Sequence, residues 1–303
     1  MKSIAERLAG APISWGVCEV PGWGLELSRE RVLQEMREVG LVATELGTPG
    51  YFPDDPAELS ALLASFDLQL IGGFVPLVLH DPAQAEEALD AARATAKLLS
   101  AAGATEFVTS MVASVDWLPR FELDDAGWAH AAKMLNSVEE IVAEHGMAQA
   151  IHPHLGTMIE QPTDVKQLLE RTDIGWCFDT GHLLIGGYDP LRFLNDARDR
   201  IRHVHLKDAV LDKALPVFNG EQTIMQGVQN GMFCPMGRGD VPIGEIVVAL
   251  ERSGYDRWYV LEQDAALTAG EPLPGQGPKL DVQMSVDYLR GVAAVLSASL
   301  ELS

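Results

Sequence analysis

The chain has 303 residues and is 47% hydrophobic, enough to bury one large core, and α/β barrels commonly reach this size as a single unit. With 44 acidic against 22 basic residues its formal net charge is -22, so its surface repels phosphate backbones and anionic lipid, which excludes most nucleic-acid and membrane partners. Its three cysteines, Cys18, Cys177 and Cys234, are far apart with no CxxC spacing, which fits a reducing cytoplasm rather than a disulfide framework. The opening MKSIAERLAGAP is too polar for a signal peptide, and no uncharged run approaches the ~20 residues that cross a bilayer, so a soluble cytoplasmic protein is expected.

Taken in chain order, short apolar runs alternate with longer amphipathic ones. Strands are predicted at 11–16 (APISWG), 42–46 (VATEL), 68–75 (LQLIGGFV), 105–110 (TEFVTS), 148–154 (AQAIHPH), 174–179 (IGWCFD), 201–206 (IRHVHL) and 257–263 (RWYVLEQ). Between the first two, Val32, Leu33, Met36 and Val39 fall on one face of a helix over 29–39, with Ser28 as N-cap. Over 163–170, Thr163 caps a turn that points Val165, Leu168 and Leu169 inward, and a last stripe runs through Val282, Val286, Leu289, Val292 and Leu296. Eight strand-then-helix units predict an α/β fold of the (β/α)₈ TIM-barrel kind, one domain over 1–303. An open doubly wound sheet has the same local pattern, but GxGxxG is missing after the first strand. The connection at about 208–243, with the glycine-rich NGMFCPMGRGDVPIG at 230–244, is the expected active-site loop, where Phe233, Arg238 and Asp240 cover a substrate.

Five of the eight histidines lie between 152 and 205, at or beyond the ends of the fifth to seventh predicted strands, where barrel catalytic groups gather. They sit in HPH (152–154), DTGH (179–182) and HVHLKD (203–208), and Glu262 follows in the eighth strand. Period-two alternation puts His152 with His154 and His203 with His205. Carboxylates clustered at one rim need compensation, and a divalent metal with mixed N/O ligands is the economical one, Mn²⁺, Co²⁺, Fe²⁺ or Zn²⁺. Each residue also has a plainer reading. On that reading Asp179 is a cap for the Thr180–Gly181 turn, Glu45 a partner for a lysine, Lys207 and Asp208 an ion pair, and Trp15 core packing.

The strings APISWG, ATELG, HPHLGT, DTGHLL, HVHLKD, GMFCPMGRGD and WYVLEQD resemble the xylose-isomerase-like TIM-barrel superfamily of sugar isomerases and epimerases, and within it the myo-inosose-2 dehydratase branch, from about residue 10 to residue 265. The resemblance implies metal ligands at His152, Asp179, His205 and Glu262, with Mn²⁺ or Co²⁺ ahead of Zn²⁺, Fe²⁺ or Mg²⁺, and no organic cofactor. It departs at His152, where the superfamily has a glutamate, and His154 is the alternative ligand there. Epimerases of this kind use two opposed glutamates, so one of them missing favours elimination, which needs one base and one acid. The acid–base candidates are His182 and His154, with Glu262 as a further one and Lys207 to polarise a substrate oxygen; Glu45, Trp15, Phe233 and Arg238 are the substrate-side candidates. The implied activity is dehydration of an inosose or similar cyclic keto-polyol in inositol catabolism, by a chain that associates as a homo-oligomer. The alternative is an isomerase or epimerase with the same metal; an abasic-site nuclease would need a basic groove, and a silent sugar-binding protein would not need the acid–base groups.

Overall fold

The computed structural model describes residues 2–18 and 20–301. Its strands β1 (Leu8–Gly10), β2 (Ala43–Leu46), β3 (Gln69–Leu77), β4 (Glu106–Met111), β5 (Ala148–Ile151), β6 (Gly175–Asp179), β7 (Ile201–Leu206) and β8 (Tyr259–Leu261) close a parallel (β/α)₈ barrel in chain order, β1 standing between β2 and β8. The strands alternate with helices α1 (Arg29–Val39), α2 (Pro56–Ser65), α3 (Ala85–Ala101), α4 (Asp125–Glu144), α5 (Pro162–Arg171), α6 (Thr180–Ile185) and α7 (Pro190–Asp196). After β7 come α8 (Leu211–Phe218), α9 (Ile224–Gln229), α10 (Ile243–Arg252) and, past β8, α11 (Pro278–Glu301). No helix among the described residues is long and apolar enough to cross a membrane.

Most predicted elements appear within a few residues. In α1, Val32, Leu33, Met36 and Val39 are buried and the Ser28 hydroxyl accepts from the Arg31 N–H at 3.4 Å. In α11, Val282, Val286, Leu289 and Leu296 are buried. Two expectations are corrected. APISWG is not the first strand: Pro12–Trp15 is a 3-10 turn that Pro12 opens, and the strand is the three residues before it. So short a strand shows no period, and Gly10 ends it where a Cβ would stand 2.7 Å from Leu41 Cδ1. Thr163 does not cap α5 but lies inside its first turn; Gln161 is the N-cap, in a capping box with Asp164.

Pro53–Ala61 and Leu70–Val204 make one compact unit, and the other described residues a second. In the first, Val108, Ala150 and Cys177 form a dry core with Phe74 against it. In the second, the buried Arg7 is an anchor. Its guanidinium donates to the carbonyls of Tyr255 (3.0 Å) and Arg257 (3.3 Å) and pairs with Glu251 at 2.6 Å. The Tyr259 hydroxyl donates to the same Glu251 oxygen at 2.7 Å, and burial, then the Glu251 charge, pushes its phenol far up.

The connection after β7, expected as a long loop, is largely structured. Asp208–Ala209 pairs antiparallel with Phe233–Cys234, and Asp208 organises the turn that follows. One carboxylate oxygen accepts from the N–H groups of Gly237 (2.8 Å), Arg238 (3.2 Å) and Gly239 (2.9 Å), the other from Ala209 (2.9 Å) and Val241 (3.1 Å). Glycine is required at 239, since a Cβ there would stand 2.3 Å from that carboxylate.

Replacing Arg7 by Met strands the Glu251 charge in a mostly buried place, so urea unfolding should show a loss of about 3–5 kcal/mol. Asp208→Asn removes a charged acceptor that serves five amides. It should cost about 1–3 kcal/mol and, by hydrogen exchange, loosen amides 237–241 before the rest of the chain.

Candidate active site

The second unit places His205 between two carboxylates. Its Nε2 lies 3.0 Å from Glu45 Oε1 at the end of β2, and its Nδ1 is against Glu262 Oε2 just past β8. The backbone sets this up, because the Glu262 N–H donates to the Leu206 carbonyl at 3.2 Å and so carries its side chain alongside His205. His205 and Glu45 are buried and Glu262 is nearly so. Glu45 therefore faces an imidazole and not a lysine. A neutral imidazole has one N–H, so it satisfies one of two ionised carboxylates; the other contact needs a second proton or a cation.

Lys207 is fully buried beside them. Its ammonium pairs with Asp264 at 2.7 Å, stands 3.6 Å from Glu262 and lies 4.7 Å from the Phe233 ring centroid. Of the two readings of Lys207, the ion pair with Asp208 is not the one found, since the Asp208 carboxylate is taken up by backbone N–H groups. Phe233 is buried over Lys207, whereas Arg238 turns its side chain outward and contributes its N–H to Asp208. Trp15 is fully buried, donates its indole N–H to Glu35 Oε2 at 2.9 Å, and packs in the layer between β1 and α1.

In the first unit, His152 follows β5, its N–H donating to the Thr109 carbonyl at 2.8 Å. Its Nε2 lies 3.4 Å from Asp179 Oδ2. Asp179 ends β6, and its other oxygen accepts from the His182 N–H at 2.7 Å as the N-cap of α6. The capping reading and the ligand reading thus occupy different oxygens of one carboxylate. His154 and His182 lie side by side, with ring centroids 3.8 Å apart and planes tilted by 37°. Both bond to Leu155: His154 Nδ1 donates to its carbonyl (2.7 Å), and its N–H donates to His182 Nδ1 (3.3 Å). By this network His154 carries a proton on Nδ1, and His182 is neutral with its proton on Nε2.

Phe74 of β3 and Trp117 of the loop after β4 complete this half. Their rings are stacked at 6.2 Å and 8°, and Trp117 stands 5.8 Å from His154 and Phe74 5.6 Å from His152. Phe74, Trp117 and Asp264 do not stand out as site residues in the sequence. Asp264 had a signal, being two residues after Glu262; Phe74 sat in a uniformly apolar run and Trp117 in a loop without pattern. In the first unit His152 and Asp179, and in the second His205 and Glu262, each bring an imidazole and a carboxylate together in a mostly buried place. Donors of this kind suit a divalent cation of intermediate hardness, and such a charge would also balance the excess of carboxylate around His205.

The family model for the xylose isomerase-like TIM barrel matches residues 33–290. An inosose dehydratase of Geobacillus kaustophilus is 34% identical over 86% of this chain and 89% of its own length. Among solved structures, a probable 3-DHS dehydratase, AsbF, from Bacillus anthracis superposes with a TM-score of 0.70 at 17% identity, covering 94% of this chain and 98% of its own. The IolI protein with a bound zinc atom gives 0.71 at 12%, covering 96% and 99%. At those identities the two structures speak for the fold alone. The sequence matches run through nearly every barrel strand, and the chain belongs to the xylose isomerase-like TIM-barrel family, alongside its inosose dehydratases.

Proposed function

We propose that this enzyme is a hydro-lyase that removes water from 2-keto-myo-inositol or a similar cyclic keto-polyol in the cytoplasm. The observation that carries this reading is the Leu155-bridged pair of imidazoles. Elimination needs one group to take the proton α to the ketone and another to protonate the departing β-hydroxyl, and two adjacent imidazoles, one neutral and one protonated, would supply both. His154, whose neutral ring has its lone pair on Nε2, suits the base, with Glu262 as the alternative; His182 suits the acid in its doubly protonated form, since a neutral imidazole is too weak an acid to protonate a departing hydroxide. A histidine in place of a second glutamate after β5 supports elimination over two-base epimerisation. The relatives named inosose dehydratase support the substrate.

His152, Asp179, His205 and Glu262 would hold the metal, Mn²⁺ or Co²⁺ by their mixed N/O set. Bound there, it supplies Lewis-acid polarisation of the ketone. Lys207, fixed by Asp264, orients toward a substrate oxygen, and Phe233 keeps water from that ammonium. Glu45 holds the His205 ring in its rotamer, while Arg238 lies at the outer edge of the covering segment.

Purified protein loaded with Mn²⁺ or Co²⁺ and given 2-keto-myo-inositol should yield a product lighter by one water, seen by mass spectrometry and abolished by chelator. A product of unchanged mass with deuterium uptake from heavy water would move the assignment to an isomerase or epimerase. His182→Gln, with metal content unchanged, should lose about 10²–10⁴-fold in kcat; near-normal turnover would remove His182 from the chemistry.

A further inference from the structure

We propose that Arg120 is a positioning residue that latches the loop carrying Trp117 onto the loop carrying His154, and that the Phe74–Trp117 face so held takes the C–H side of the substrate ring. The proposal rests on the reading above that the substrate is a cyclic keto-polyol.

The loop between β4 and α4, residues 112–124, has few anchors of its own. Val115, Leu118 and Phe121 are exposed at 65%, 58% and 49%. Trp117 by contrast is turned inward, and its backbone is in the left-handed region at φ 56, a costly conformation for a bulky side chain. Something must hold it there. Three residues on, the Arg120 guanidinium bridges two carboxylates of the following segment, Glu160 at 3.2 Å and Asp164 at 2.9 Å.

Those carboxylates also fix the loop of His154. Glu160 accepts from the Gly156 N–H at 2.5 Å, and Asp164 accepts from the N–H groups of Glu160 (3.1 Å) and Gln161 (2.8 Å). One cation therefore joins the strained loop to the loop of the catalytic imidazoles. The result is an aromatic face, Trp117 parallel to Phe74, standing against His154. A six-membered polyol ring with mostly equatorial hydroxyls presents axial C–H groups on its faces, which suit a flat aromatic surface; an open-chain keto-polyol presents no such face.

The test uses metal-loaded enzyme. Trp117→Leu and Trp117→Phe share the backbone strain and differ in the aromatic face. Trp117→Leu should raise KM for 2-keto-myo-inositol about tenfold with little change in kcat, as expected for loss of binding common to ground and transition states, and Trp117→Phe should restore most of it. Arg120→Gln should raise KM in the same way, Arg120→Lys less so. In the double variant Arg120→Gln should add little to Trp117→Leu, because it acts through that ring. Additive KM effects, or a fall in kcat alone, would overturn the latch, and an unchanged KM in Trp117→Leu would overturn the face.

Binding of myo-inositol, followed by tryptophan fluorescence, reads the face without turnover. A response in the wild type that is largely lost in Trp117→Phe supports it even if dehydration fails. A response that persists in Trp117→Phe, or none in the wild type, overturns it even if dehydration succeeds. Thermal midpoints of each variant separate these effects from misfolding.

Discussion

A buried imidazole with a carboxylate on each ring nitrogen is the constraint around which the second unit is arranged. His205 is fully buried, and Glu45 and Glu262 each need a positive partner. Burying such charges unpaired would cost several kcal/mol apiece, so every neighbouring group must serve the balance. Lys207 stands against Glu262, Asp264 in turn holds Lys207, and Phe233 covers the ammonium with its ring. The remaining excess of carboxylate is what makes the donor set suited to a divalent cation. Charge compensation thus links strand ends far apart in the chain into one chemical unit.

The segment after β7 follows from the same economy of backbone groups. A turn running Gly237 to Val241 turns its N–H groups inward, and only that of Asp240 is received by a strand carbonyl, at Ala209. One carboxylate, Asp208, accepts the other four of these N–H groups and that of Ala209, and thereby sets the antiparallel pairing that brings Phe233 over Lys207. Asp208 and Lys207 are adjacent in sequence yet serve different purposes, one for the main chain and one for the site.

How much of this was legible in the sequence depended on the kind of signal. Repeating apolar runs disclosed the barrel, because each buried strand must be apolar over several residues; β1 escaped because three residues cannot display a period. His152, His154, Asp179, His182, His205 and Glu262 stood out because polar groups at the ends of apolar strands are conspicuous. Partners brought together only by folding did not. Nothing in ASVDWLPR shows that Trp117 turns inward or that Arg120 reaches carboxylates forty residues on, and nothing near Lys207 shows that it prefers Asp264 to its neighbour. Thr163 looked like a helix cap by residue type, whereas the capping box formed two residues earlier, at Gln161.

Leu155 has a consequence beyond holding two rings. The N–H and the C=O of one residue belong to two successive peptide units, and here the one gives and the other receives, each meeting a different imidazole. Two chemically identical side chains are thereby made unlike. The asymmetry is written in main chain, which does not titrate and which side-chain substitution at 155 leaves untouched, proline excepted because it lacks the N–H. In the proposed elimination, the direction in which protons travel across the substrate is therefore set by the sense in which the polypeptide runs past its own histidines.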